Sequence, residues 1–331
     1  MGFWENQPTH TKKKLIKSDA QTQLPDDTYE WSTCSTVDLR NLLCNHYLSD
    51  ETSYLEYTAR FLDWQLHEDD EFNVALRKKG KLIGFISATP GTAHVKGATE
   101  RIVFINFLCL HAKHRDKGLA PLLIQEITRR AVLRGIEQAI YTASATLPGI
   151  ACTATYFHRL LNPPKLIECG FLETNDPKSK YHDVRGSSHL REANENDVPR
   201  ILEILRAQEL TYEAYIESDE TYVREKLLKT ARTFIADDED ALVSLYELNS
   251  VTKAGVIKQC FAQRIVGDPK HAVIFAKNLG FDVLTVLNFG MNDADLTKNK
   301  FLEGSGKINM YLYNWGGNIP LQRENVLLGV V

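Results

Sequence analysis

The sequence predicts an α+β fold in which one helix-and-sheet plan is used twice, and three observations predict it. Residues 101–110 form a near-continuous apolar, β-branched and aromatic run, followed by a basic loop, a glycine and an amphipathic stretch, the pattern of a buried strand feeding a helix. Two plausible helix starts, Ser35-Thr36-Val37-Asp38 and Asn196-Asp197-Val198-Pro199, open comparable stretches in the two halves. Gly170-Phe171 and Gly280-Phe281 each stand where a helical segment stops, the glycine suiting a left-handed cap. At 331 residues and 43% hydrophobic the chain exceeds the usual single-core size, so one large or two fused domains are expected.

Taken in chain order, Leu39, Leu42, Leu43 and Tyr47 follow the first helix start at helical spacing. Residues 73–77 and 82–87 flank Lys78-Lys79-Gly80-Lys81 and read as a β-hairpin. The strand 101–110 then gives way to a helix over 119–135, where Leu119, Leu123, Ile127 and Ala131 repeat every four residues on one face. Gln138 to Thr142 is a further strand. The polar stretch 175–188 is the expected join, which divides the chain into halves at 1–180 and 181–331. Ile201, Leu202, Ile204 and Leu205 line the second-half helix, and near the end Ile308, Met310 and Leu312 alternate with Tyr311, Tyr313 and Trp315, a strand buried on both faces. The last residues, 326–331, are an apolar strand-like run to the final atom, which is unusual because termini are generally polar and frayed.

A net charge of -4 and a pI near 6.2 argue against nucleic-acid binding driven by bulk charge. Six cysteines without a Cys-x-x-Cys pair read as reduced thiols of a cytoplasmic protein rather than a disulfide framework. The first 14 residues lack the apolar core of a signal peptide, and no apolar run reaches the length of a membrane span, so a soluble protein without stable membrane insertion is expected. The histidines are scattered along the chain, and no metal is expected. Gly2 with Asn6 misses the usual acceptor pattern for N-myristoylation of the chain itself.

The chemistry concentrates at residues 106–120. Lys113, Arg115 and Lys117 lead to Gly118, and Leu119-Ala120-Pro121 opens the helix with proline in its first turn, where no amide partner is lost. Free amides, the positive end of the helix dipole and a glycine that lets backbone approach closely make an anion cradle. The spacing Arg115-x-x-Gly118-x-Ala120 resembles the pyrophosphate loop of the GNAT acyltransferases, which bind acyl-CoA. Over most of the chain the longer text resembles the N-myristoyltransferase family. It includes Asn106-Phe107-Leu108-Cys109, Leu119-Ala120-Pro121, Glu126-Ile127-Thr128-Arg129-Arg130, Tyr141-Thr142-Ala143, Tyr156-Phe157-His158-Arg159 and Tyr311-Leu312-Tyr313-Asn314-Trp315.

That resemblance implies two tandem GNAT-like halves sharing a continuous mixed, saddle-shaped β-sheet flanked by helices. The first half would bind myristoyl-CoA as co-substrate, with no prosthetic group, and the second the peptide. Acyl transfer to an amine needs an oxyanion stabiliser and a base. The family assigns the first task to backbone amides, here matching Phe107 and Leu108; a bulge or early end of this strand would aim them at a thioester oxygen, for ~3 kcal/mol per donor. The second task falls to the terminal carboxylate, here Val331, with Thr142 and Asn106 orienting the amine or relaying its proton. Desolvation raises a terminal carboxylate from ~3.5 toward the ~7.8 of an α-amine, so proton exchange becomes feasible.

By the same resemblance Phe3, Trp4, Phe107, Leu108, Cys109, Leu110, Arg115, Asp116, Lys117, Gly118, Leu119 and Ala120 surround the acyl-CoA. Tyr47, Tyr57, Tyr156, His158, Phe171, Asn292, Ser305 and Gly306 line the peptide groove. The implied partners are proteins or nascent chains with an N-terminal glycine, and the implied state is a monomer. The chain departs from the family's pattern at Ser53 and Leu55, where phenylalanines are common, at Gly304-Ser305-Gly306 in place of Gly-Asp-Gly, and at Ser144 in place of glycine. A lost carboxylate acceptor is worth ~1 to 3 kcal/mol to a peptide. Two other readings stay open: a GNAT-type N-acetyltransferase with a small acyl pocket, and a catalytically silent acyl-CoA or myristoyl-peptide binding protein.

Overall fold

The computed structural model describes residues 21–48, 52–173, 183–316 and 319–328. They form two compact units, one from residues within Met1–Ser49, Tyr57–Thr153 and Ile308–Leu321, the other from residues within Asp50–Glu56, Ala154–Lys307 and Gln322–Val331. The strands Ile150–Leu160 and Leu302–Tyr313 contribute residues to both. Each unit is a mixed sheet with helices packed on it, the α+β class expected.

In the first unit the strands run Tyr29–Ser32, Asn73–Lys78, Lys81–Val95, Ala98–Leu110, Gln138–Ala143 and then 308–313. All neighbours are antiparallel except Ala98–Leu110 with Gln138–Ala143, which pair in parallel from Ile102↔Gln138 to Ile105↔Tyr141. The crossover between those two is the helix Leu119–Leu133, as a parallel pair requires. Its predicted stripe, Leu119, Leu123, Ile127 and Ala131, is buried against Val74, Leu76, Ile83, Ile86, Ala88 and Val103. The predicted hairpin turns at Lys79 and Gly80, both at positive φ, but its second strand continues to Val95 and a further tight turn at Lys96-Gly97 starts the cradle strand three residues before Arg101. Pro90 and Gly91 obscured that continuation, yet both sit in the ladder, opposite Val103 and Ile102.

In the second unit the order is 154–160, Val283–Leu287, Gln259–Val266, Leu242–Glu247, Arg232–Ile235 and Arg191–Glu192, and along this path Gln259–Val266 and Val283–Leu287 pair in parallel while the other neighbours are antiparallel. The helix Lys270–Asn278 buries Ala272, Val273 and Ala276 against this sheet. Both Gly-Phe caps share one geometry. Gly170 donates to the Ile167 carbonyl and Phe171 to that of Leu166; Gly280 donates to Lys277 and Phe281 to Ala276; both glycines lie at positive φ. The expected join falls largely on 174–182, outside the described residues. Among the described residues no helix is long and apolar enough to cross a membrane.

Candidate functional site

In the first unit the cradle strand contains the bulge on which an oxyanion site depends. Phe85 pairs with Cys109 and Ser87 with Asn106, so Phe107 and Leu108 together face the single residue Ile86. Phe107 takes φ +54, a left-handed conformation that is uncommon for a bulky side chain. The parallel ladder on the other edge ends at Ile105, two residues before Phe107. The Phe107 amide donates to Oδ1 of Asn106 at 2.8 Å, and the Asn106 carbonyl accepts from the Ser87 hydroxyl at 3.3 Å. Around the buried Phe107 ring stand Tyr47 and Tyr57, each with its centroid 6.0 Å away, the latter at 89°. Two residues expected at the peptide groove therefore pack on one expected at the thioester, while Leu108 stays 37% exposed.

Beyond the bulge, Cys109 is buried and its thiol is pushed up to about 12 by burial, so it is no nucleophile. Arg115 donates from Nε to the Leu110 carbonyl and from Nη2 to the His46 carbonyl, tying the loop to the strand end and to the helix Thr36–His46. Asp116 and Gly118 both take positive φ, and Gly118 caps the helix without a side-chain hydrogen bond. A Cβ at Gly118 would meet nothing within 4 Å, so conformation and not crowding demands glycine there. Lys117 and Asp116 are exposed, Leu119 is buried and Ala120 half-buried at the helix start.

The helix is anchored from within by Glu126, fully buried, which takes two hydrogen bonds from Arg129 and one from Arg130 at 2.8 to 2.9 Å. Burial would raise its pKa, but the hydrogen bonds from Arg129 and Arg130 and the Arg130 charge lower it to about 2.

Thr142 lies opposite Met310 in the strand pair that carries Tyr141 and Tyr311, whose rings stack at 4.8 Å. Sequence reasoning missed the residues that fix the loop after it. The Tyr311 hydroxyl donates to the Ala145 carbonyl and accepts from the Leu147 amide, while Asn309 donates to Ala145 and accepts from Thr153. Tyr and Asn on a strand that alternates apolar residues were the available signal.

In the second unit Tyr156, His158, Phe171 and Gly304-Ser305-Gly306 form one cluster. Nδ1 of His158 lies 2.9 Å from the Thr285 hydroxyl, which Gln259 also reaches at 2.9 Å, and its ring meets Phe171 edge-on at 5.5 Å. Burial pushes its pKa down to about 4, so it is neutral at pH 7 and offers hydrogen bonds rather than charge. A Cβ on Gly304 would come within 2.7 Å of His158 Nε2 and 2.9 Å of the Tyr156 carbonyl, and one on Gly306 within 3.0 Å of the Tyr156 ring. Ser305 between them is exposed. Asn292 is exposed and its Oδ1 caps the helix Asp293–Lys298 through the Ala294 amide.

Phe3, Trp4 and Val331 lie outside the described residues. The run leading to Val331 is buried at Val326, Leu327 and Leu328, and Val326–Leu327 pairs in parallel with Ala214–Ile216.

Residues 8–154 match the family model for the N-terminal domain of Myristoyl-CoA:protein N-myristoyltransferase, and residues 257–326 match that for its C-terminal domain. Glycylpeptide N-tetradecanoyltransferase 2 of Danio rerio is 30% identical over 363 residues, covering 95% of this chain and 74% of the relative. The chain belongs to the N-myristoyltransferase family. A crystal structure of Saccharomyces cerevisiae N-myristoyltransferase with bound myristoyl-CoA superposes with a TM-score of 0.83 at 25% identity, over 94% of this chain and 92% of that one. A GCN5-related N-acetyltransferase from Anabaena variabilis ATCC 29413 reaches 0.52 at 12% identity over 86% and 72%, a likeness of fold alone. The residue 106–120 loop, the bulge and Thr142 fall inside the first matched segment, whereas Tyr156, His158 and Phe171 fall between the two.

Proposed function

We propose that this chain transfers myristate from myristoyl-CoA to the α-amine of an N-terminal glycine, forming an amide and releasing CoA. A base first takes one proton from the ammonium, the freed amine nitrogen attacks the thioester carbonyl carbon, and as the C–S bond breaks from the tetrahedral intermediate the second nitrogen proton passes to the departing sulfur, so that CoA leaves as the thiol. The observation that carries the reading is the bulge at Phe107, beside an uncapped helix N-terminus with a left-handed glycine. The Phe107 amide, whose acceptor is now Asn106 Oδ1, turns to the thioester oxygen when the Asn106 carboxamide turns to the amine, and Leu108 supplies the second donor. The amides opening the helix at Leu119 and Ala120, with Lys117, take the CoA phosphates.

The Val331 carboxylate is the base in this reading, supported by the burial of the chain through Leu328. Thr142 stands ready to orient the amine. Residues 1–180 bind the acyl-CoA, Phe3 and Trp4 covering it, and 181–331 bind the peptide through Ser305 and Gly306, with Tyr156, His158 and Phe171 joining them from the end of the first half. Asn292 accepts the helix cap through Oδ1 and keeps its Nδ2 donors for the groove. The enzyme acts as a cytoplasmic monomer in lipoprotein biosynthesis.

The test is transfer from myristoyl-CoA to a Gly-led octapeptide against an Ala-led control, with acetyl-CoA as a second donor. Transfer only to the Gly-led peptide and only from the long acyl donor is expected. Equal use of acetyl-CoA, or tight acyl-CoA binding without transfer, overturns the reading. A chain extended by a few residues beyond Val331 should keep acyl-CoA affinity and lose turnover.

A further inference from the structure

The chain has ten histidines that look scattered in sequence, yet the second unit brings two of them to one carboxylate. Ligand atoms of His189, Glu239 and His271 all lie within 4.8 Å of one another. They come from three separate places: the residues before the strand Arg191–Glu192, the turn between Arg232–Ile235 and Leu242–Glu247, and the first turn of the helix Lys270–Asn278. We infer that these three side chains form a binding site for a late first-row divalent cation of the Zn2+ type.

Two imidazoles and one carboxylate are the donor set such an ion favours, leaving a fourth position for water. Support behind the ligands is already built. The Ser188 hydroxyl sits 2.8 Å from Nδ1 of His271 and accepts from the Leu190 amide at 3.2 Å. When it also accepts from the His271 Nδ1–H, the lone pair on Nε2 is left for the metal, the usual second-layer arrangement of a histidine ligand. The Glu239 backbone is pinned because its carbonyl accepts from the Ala241 amide and from Arg200 Nη2, both at 3.0 Å. Metal-donor bonds of about 2.0 to 2.2 Å set tetrahedral donors about 3.3 Å apart. His189 Nε2 and Glu239 Oε1 at 2.7 Å must therefore part slightly, and the 4.8 Å spread must close. Both movements fall on side chains that are more than half exposed, 53% for His189 and 54% for Glu239, while half-buried His271 stays fixed. A bound ion would staple the helix to the turn and to the start of the edge strand.

The experiment is titration of the full chain, without affinity tag, with Zn2+ by calorimetry in a non-coordinating buffer, alongside Co2+ absorption and urea unfolding. One ion per chain, tetrahedral Co2+ bands and an unfolding midpoint that rises with Zn2+ are expected. His189→Ala, His271→Ala and Glu239→Gln should each weaken binding by at least about tenfold, and Ser188→Ala by about tenfold through the His271 ring, with unchanged circular dichroism. His94→Ala, in the first unit, should bind as the parent does. Absence of stoichiometric binding, or binding indifferent to all three ligand substitutions, overturns the site.

Discussion

Glu126 in the first unit and Glu209 in the second are both buried carboxylates beside arginine, yet their protonation shifts in opposite directions. Glu126 meets Arg129 through two bonds and Arg130 through a third, all under 3.0 Å, and its pKa falls to about 2. Glu209 meets Arg264 at 3.3 Å and leans instead on the Ser218 hydroxyl at 2.5 Å; burial dominates and its pKa rises. Nε and Nη1 of Arg264 have no hydrogen-bond partner among the described residues. Burial alone does not decide the state of a carboxylate; the number of short charge-assisted bonds does. Glu126 braces the helix whose first turn is the proposed anion cradle. Glu209 closes the 209–218 loop whose middle strand holds Val326–Leu327, so each pair supports one end of the proposed chemistry.

The largest test of that contrast is Glu126→Gln, which leaves two arginines without their anion and should cost about 3 kcal/mol in urea unfolding. Its sign with pH is fixed by a depressed pKa. The stabilisation is complete above the ordinary value of 4.5 and disappears as pH falls toward about 2, so the variant and parent should converge in acid. Next comes Gly304→Ala, whose new methyl would press on His158 and the Tyr156 carbonyl; overpacking of this kind costs about 2 kcal/mol and should raise KM for peptide more than for acyl-CoA.

Glu209→Gln is expected to cost less, about 1 to 2 kcal/mol, since the amide keeps the Ser218 contact. With a raised pKa the sign reverses. The Glu209 contribution is fullest below pH 4.5 and is lost as pH rises through its folded value, so the deficit of the variant should not grow from acid to neutral pH. Adding Arg264→Met should recover stability if the pair is only marginally useful; a further loss would show that the two charges matter as much as those at Glu126. The smallest effect is expected at Gly118→Ala, about 1 kcal/mol, from left-handed backbone with open space around it. Its acyl-CoA affinity should fall with peptide KM unchanged, the converse of Gly304→Ala.

What the sequence determined by itself is local. The four-residue stripe of Leu119, Leu123, Ile127 and Ala131, the Ser35 cap, the Lys79-Gly80 turn and the twin Gly-Phe caps follow from periodicity and from the dihedral needs of a few residues, and all are present. Only the tertiary structure decided that Phe107 and Leu108 share one partner in Ile86, because a bulge is a property of two paired strands and leaves no mark on either alone. The same holds for Gly304 against His158, for Tyr311 and Asn309 on the loop at Ala145, and for His189, Glu239 and His271. These groups are tens to more than a hundred residues apart in the chain, and what joins them is strand register and helix packing, to which local propensity is blind.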